Sequence, residues 1–399
     1  MQSSPRRFGR RLVPATGGLI SLSFVLAGCG APAEPPAESE APSASASASP
    51  TAEVPEIDTG GMPAPLAELI TGWYRGEEVP TGERAASAAA ARTTSSGSLS
   101  VESATGTWNG EQIAVLTSGD DVTLAVSAGG SSGTDGGWRV VGGWWPSLGV
   151  DMPALGDGAR HVLFMGADAR EKEGELITET RADALQVVGV DGMGGGGIVG
   201  IPRDLWVPLA GGGEAKINAA LVFGGPDGQQ QAVTNATGIE LDGYVLTGFQ
   251  GFQSIVEDAG GLPLDAPVPV KDVSAGEVLL NPVDALMYVR ERKTLPGGDF
   301  DRSFHQGVAL LGFGAHALAE GPQALARTLS LVDPHVETNL SAEDMLTFAA
   351  WLYQADLAQI GHTVPEAPFG TSADGQSILI NDDGVRAVFD DFADGRLGN

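Results

Sequence analysis

Two aspartates and two arginines stand close together in Gly166-Ala167-Asp168-Ala169-Arg170 and Arg181-Ala182-Asp183. Carboxylates hold hard divalent cations and guanidinium forks grip phosphate oxygens in pairs, so this grouping suits an ion carrying several negative charges. A surface salt-bridge network would use the same residues at the same spacing. Further along come Arg203, Lys216, Arg290, Arg292 and Arg302. Taken together, these residues point to recognition of a diphosphate with one hard metal, magnesium first and manganese as its substitute. Phosphoryl transfer asks the protein for charge neutralisation and in-line positioning rather than covalent chemistry. The 5 histidines are scattered and the single cysteine is Cys29, which leaves neither a zinc-type grouping nor a suitable thiol nucleophile.

The chain of 399 residues carries 22 basic against 51 acidic side chains, a balance that repels polyanions and excludes non-specific nucleic-acid binding. A phosphate site must therefore be a local exception. Half of the 22 basic residues lie between Arg160 and Arg302, which supplies one.

Strands have to mount these groups. Apolar runs over 161–165 and 184–190 read as buried strands, so the first Asp and Arg residues sit where strands end and loops begin. The glycines of 192–197 match a dinucleotide-binding pattern, but the following Ile198-Val199-Gly200-Ile201-Pro202 is strand-like where that motif needs a helix. Helices are predicted over 226–237, 249–259 and 304–318, and after Asn281 as N-cap with Pro282 in the first turn. The stretch 297–302 reads as a loop, 267–270 and 277–280 as extended, 341–354 and 383–392 as helices, and 377–380 as a strand. Such alternation gives an α/β or α+β layer fold.

Ahead of this part, Arg6, Arg7, Arg10 and Arg11 precede an apolar stretch that ends in Leu26-Ala27-Gly28-Cys29. The pattern reads as an export signal over 1–28, and its end resembles the bacterial lipobox, with Cys29 the lipidated residue. Residues 29–61 are largely Ala, Pro, Ser and Glu and read as a disordered linker. Residues 62–155 form a small Trp-rich, mostly β region with helices expected at 65–75 and 82–92. Its tryptophans read as core rather than as a sugar platform, and no chemistry is assigned to it.

The blocks Phe164-Met165-Gly166-Ala167-Asp168-Ala169-Arg170, Arg181-Ala182-Asp183, Ile201-Pro202-Arg203-Asp204, Lys216-Ile217-Asn218, Ala285-Leu286-Met287-Tyr288-Val289-Arg290-Glu291-Arg292 and Asp299-Phe300-Asp301-Arg302 occur in the order seen in one family. The region from about 158 to 318 resembles the LytR-CpsA-Psr family. That resemblance implies a three-layer α-β-α domain over 156–399, with a central mixed sheet and an apolar lipid pocket. It implies a phosphotransferase that moves a glycopolymer from an undecaprenyl-pyrophosphate carrier to a peptidoglycan hydroxyl. Asp168 and Asp183 would hold magnesium, and Asp168 would be one choice for the general base. Arg170, Arg181, Arg203, Lys216, Arg290, Arg292, Arg302, His305 and Gln306 would line the pyrophosphate, with Asp168, Arg170, Arg181, Arg203 and Arg302 at the reacting centre. The protein would work at the outer face of the cell membrane, anchored through Cys29. A non-catalytic polyprenyl-phosphate or glycan binder and a pyrophosphatase are the rival readings. Ser303-Phe304-His305-Gln306-Gly307 departs from the usual Arg and Gln pair after Arg302, and a lipid anchor replaces the usual membrane-spanning helix.

Overall fold

The computed structural model describes residues 54–127, 137–356 and 359–398. The expected signal segment, Cys29 and most of the linker lie outside the described residues. Residues 52–399 form one unit.

Arg160–Ala167 and Ala182–Val190 pair antiparallel at the centre of a six-stranded mixed sheet. Gly196–Gly200 extends it on one side and Gly243–Thr247, parallel to Arg160–Ala167, on the other. Ile360–Thr363 and Glu337–Thr338 form the edges. Alternation along these strands sends successive side chains to opposite faces. Leu163, Met165, Leu185, Val187 and Val199 enter one apolar cluster, shared with the helices Ala220–Thr237 and Asp383–Phe392. Val162, Val188, Val190, Ile198 and Val245 enter the other, covered by Ala324–Val332 and Ala342–Gln354. Helices therefore cover both faces, giving the α-β-α layering. Gly196–Gly200 is a strand where a nucleotide motif would start a helix.

The antiparallel strands Glu102–Trp108, Glu111–Ser118, Asp121–Ser127, Trp138–Trp145 and Val150–Ala154 make a separate five-stranded sheet in sequence order. Ala114, Leu116, Ala125 and Val140 pack with Leu66, Ile70 and Trp73 of the helix Ala64–Tyr74. The opposite face, with Ile113, Val115, Leu124 and Val126, joins the second cluster of the central sheet beside Leu346 and Phe348. Trp108 and Trp145 are fully buried, as core residues are. The division expected near 155 thus falls inside one hydrophobic cluster, to which Leu155 and Val162 both belong. Arg84 and Arg139 reinforce the join by pairing with Glu343, at 3.1 and 3.0 Å.

Two local readings need correction. Asp299–Ala319 is one helix, so the residues expected in a loop at 299–302 are its first turn. Gly298, with φ of 60°, supplies the left-handed turn that starts it. The extended segment expected at 267–270 lies earlier, at Leu262–Ala266, which pairs with Gly276–Leu280. Asn281 caps Pro282–Arg290 as read, accepting from the backbone of Val283 and Asp284.

Candidate active site

A cavity of about 760 Å³ opens at the ends of the central strands, and that volume falls in the range of about 300–1,000 Å³ usual for ligand pockets. Asp168 and Asp183 line it from the two central strands, Arg203 from the segment after Gly196–Gly200, Arg290 and Arg302 from two helices, and Arg292 from the turn after the first of these helices. Residues more than a hundred positions apart thus meet in one place, because strand ends and helix starts converge there.

Asp299 organises the cations. Its carboxylate accepts from Arg203 Nε at 2.9 Å and Arg292 Nη1 at 3.2 Å, and lies 3.4 Å from Arg302 Nη2. Burial would raise its pKa, but the charges of Arg302 and Arg203 outweigh burial and hold it below the usual carboxylate value. Asp183 pairs with Arg203 through one oxygen and accepts from Asn218 Nδ2 at 2.8 Å through the other. Asp168 is 3.7 Å from Arg290, whose guanidinium lies 4.0 Å from the centroid of the Phe249 ring.

Arg302 is different. Its side chain is 7% exposed, and Nε is buried with no hydrogen-bond partner. Burial first, and then repulsion from Arg203, pull its pKa below the usual guanidinium value. A buried guanidinium with an unused donor, beside two other guanidiniums, is a place where an anion oxygen would be stabilised.

The same helix supplies the apolar part. Arg302, Gln306, Ala309, Leu310 and Phe313 all line the cavity, a spacing of one helix face. At 1.5 Å per residue, Phe313 stands roughly 16 Å along the axis from Arg302. The lining thus runs from charge at the first turn to Leu310 and Phe313, where Phe252, Val332 and Val336 join them. The cavity suits an amphiphile with a multiply charged head and an apolar tail.

Four residues expected at the phosphate do not line the cavity. Arg170 is exposed and lies 3.9 Å from Glu175, within its own short loop. Arg181 precedes the strand, its side chain exposed and its carbonyl accepting from the Asp168 backbone. Lys216 pairs with Asp204 at 3.0 Å. His305 is buried outside the cavity lining, with its ring 4.9 Å from that of Tyr288, and burial lowers its pKa below the usual histidine value. Gln306 does reach the cavity and donates to the Val289 carbonyl at 3.1 Å. Asp299, Asn218, Lys271 and Glu291 are site residues that the sequence alone does not single out, although Asp299, Asn218 and Glu291 stand inside its motif blocks.

The departure at Gly307 has a steric cause. A Cβ there would lie 2.0 Å from Nε2 of His362, whose ring stacks on Phe304 at 4.4 Å. Gly307→Ala is expected to destabilise the fold by about 1–3 kcal/mol through overpacking. Adding His362→Ala should recover most of that loss in urea melts. No recovery would show that His362 is not the obstacle.

His362 also makes stability pH-dependent. Burial, and then the nearby His305, push its pKa down to about 4. The unfolded chain binds the proton first, so this contribution is complete above the ordinary histidine pKa and is lost as pH falls toward the folded value. The loss is on the order of 3 kcal/mol, and urea midpoints at about pH 7.5 and about pH 4.5 should differ more for the wild type than for His362→Gln. Equal drops would assign the titration elsewhere.

The sequence profile described as the LytR_cpsA_psr family matches residues 148–386. The chain belongs to that family. Over 160 residues it is 36% identical to the polyisoprenyl-teichoic acid–peptidoglycan teichoic acid transferase TagV of Bacillus subtilis, a span of 36% of this chain and 40% of that protein. It is 29% identical over 195 residues to the corresponding enzyme TagU of Bacillus anthracis, 46% of this chain and 61% of that one. Both spans fall short of two thirds of the relative's length. The solved structure of gbs0355 from Streptococcus agalactiae superposes with a TM-score of 0.51 at 22% identity, covering 61% of this chain and 90% of that one, which shows that the two share a fold.

Proposed function

We propose that this LytR-CpsA-Psr protein moves a glycopolymer from a polyprenyl-pyrophosphate carrier to a peptidoglycan hydroxyl, leaving a phosphodiester link. The unpartnered Nε of buried Arg302, at the charged start of a cavity face that turns apolar from Ala309 onward, is the observation that carries this reading. The transferase names of TagV and TagU support it.

In this scheme the prenyl chain lies along Leu310 and Phe313, and Arg203, Arg290, Arg292 and Arg302 neutralise the pyrophosphate. The acceptor oxygen attacks the phosphorus that carries the glycopolymer. The bond from that phosphorus to the bridging oxygen breaks, and its electron pair leaves with polyprenyl monophosphate. We assign the hydroxyl proton to Asp168, the more exposed of the two carboxylates at 41% against 20% for Asp183.

The donor set fits a magnesium ion. Among the described residues no group of three His, Cys, Asp or Glu side chains is present, but magnesium typically takes one or two carboxylates and completes its shell with substrate phosphate and water. Asp168 and Asp183 are such a pair, and each Asp183 oxygen, though hydrogen-bonded once, keeps a further lone pair. Bound there, magnesium would supply charge neutralisation at the pyrophosphate.

The test incubates the full chain and magnesium with a polyprenyl-pyrophosphate-linked glycopolymer and peptidoglycan fragments. Attached polymer, lost in Asp168→Ala, supports the transferase. Tight donor binding without transfer selects the binder, and release of phosphorylated polymer into water selects the pyrophosphatase. The reading includes an extracytoplasmic protein held to the membrane through Cys29, for which mass spectrometry of the mature protein should find a lipidated N-terminal cysteine. An unmodified mature N-terminus elsewhere would remove the anchor.

A further inference from the structure

Arg290-Glu291-Arg292-Lys293 places an acid among three basic residues, and all four line the cavity. A carboxylate facing a pyrophosphate would repel it, so the position calls for a physical account. Glu291 is 5% exposed. Its Oε1 accepts from the backbone N–H groups of Arg292, Lys293 and Thr294 at 3.0, 2.7 and 3.0 Å. Its Oε2 pairs with the ammonium of Lys271, another residue of the cavity wall. The Lys271 contact and then the Thr294 and Lys293 N–H groups hold the Glu291 carboxyl down to about 2.

The backbone explains what this binding does. The helix Pro282–Arg290 ends at Arg290, and Glu291 turns extended, at φ −67° and ψ 132°. Without a partner the next N–H groups would be free to reorient; the carboxylate ties three of them together. Arg290, the last helical residue, faces Asp168 and Phe249, and the turn that follows carries Arg292 to Asp299. Lys271 is itself held with φ of 51°, a conformation unfavourable outside glycine, in a turn closed by two hydrogen bonds of 2.9 Å between Val270 and Val273. The segment between Leu262–Ala266 and Gly276–Leu280 thus presents one ammonium to one buried acid.

We propose that Glu291 and Lys271 are a positioning pair for the pyrophosphate: Glu291 fixes the turn that spreads Arg290 and Arg292, and Lys271 cancels its charge so that this wall stays cationic. The proposal rests on the polyprenyl-pyrophosphate reading above. It makes Lys271 a determinant of affinity for the charged head alone.

Farnesyl pyrophosphate and uncharged farnesol serve as probes in calorimetry on the full chain with magnesium. Glu291→Ala should weaken farnesyl pyrophosphate binding about 10–100-fold, the scale on which a misplaced positioning group acts, and leave farnesol unchanged. Glu291→Gln keeps an acceptor for the turn and should retain more of the affinity than Glu291→Ala. Lys271→Gln, which leaves the acid uncompensated, should weaken the pyrophosphate probe alone. Wild-type affinity in Glu291→Ala overturns the pair, and so does parallel loss of both probes, which marks a merely structural role. Failure of the wild type itself to bind farnesyl pyrophosphate overturns the polyprenyl-pyrophosphate reading and this pair with it.

Discussion

Arg302→Ala is expected to lower transfer about 100–1,000-fold, the usual scale for removing one preorganised donor from a charge-stabilising site. The fold should survive, because Asp299 keeps Arg203 and Arg292 when Arg302 is removed. The loss falls on the substrate instead. Arg302 carries the buried unused Nε, and its other named contacts, to Asp299 and the Asp183 carbonyl, are both long at 3.4 Å. Its interactions inside the protein are weak, so it has most to gain from a phosphate. Arg302→Lys should recover little, since an ammonium keeps the charge but not the planar fork. Steady-state kinetics with circular dichroism as a fold control decide the matter. Near-wild-type kcat/KM in folded Arg302→Ala would remove Arg302 from the reacting site.

Leu310→Trp is expected to separate long donors from short ones. Leu310 lies two helical turns beyond Arg302, roughly 12 Å along the axis, on the face that lines the cavity. An indole there fills space that a long prenyl chain needs, and leaves the charged first turn untouched. Turnover of a full-length polyprenyl donor should fall about 100-fold, as mispositioning of a bound substrate does. A short prenyl-pyrophosphate donor should be used almost as before. Equal effects on both would mean that the chain does not run along Leu310 and Phe313.

Much of this site was legible because basic residues are scarce in this chain beside its many acids. In so acidic a sequence, Arg203, Arg290, Arg292 and Arg302 recur at separate positions with little other reason to be there, and all reach the cavity. The strand ends at Asp168 and Asp183 followed from apolar runs. Spacing could not tell which neighbouring arginines turn inward. Arg170 and Arg181 are as close in sequence to the aspartates, yet one lies toward its own loop acid and the other into solvent. Acids were the harder case. Asp299 and Glu291 look like solvated residues beside arginines, and only the fold reveals that each gathers several donors. Gly297 and Gly298 made the start of the long helix look like a loop, because paired glycines more often follow a helix than open one, whereas here Gly298, at positive φ, stands directly before the first turn. The pairing of Ile360–Thr363 with Gly196–Gly200 joins segments far apart in sequence, and no local pattern announces it. The same holds for His362 and Gly307, whose close packing joins residues more than fifty positions apart.

The most direct measurement of the central claim follows a radiolabelled glycopolymer on its polyprenyl-pyrophosphate carrier, incubated with the full chain, magnesium and peptidoglycan fragments. The account predicts label joined to peptidoglycan through a phosphodiester, together with polyprenyl monophosphate. Label that stays on the carrier, or that appears only as free phosphorylated polymer, would contradict it.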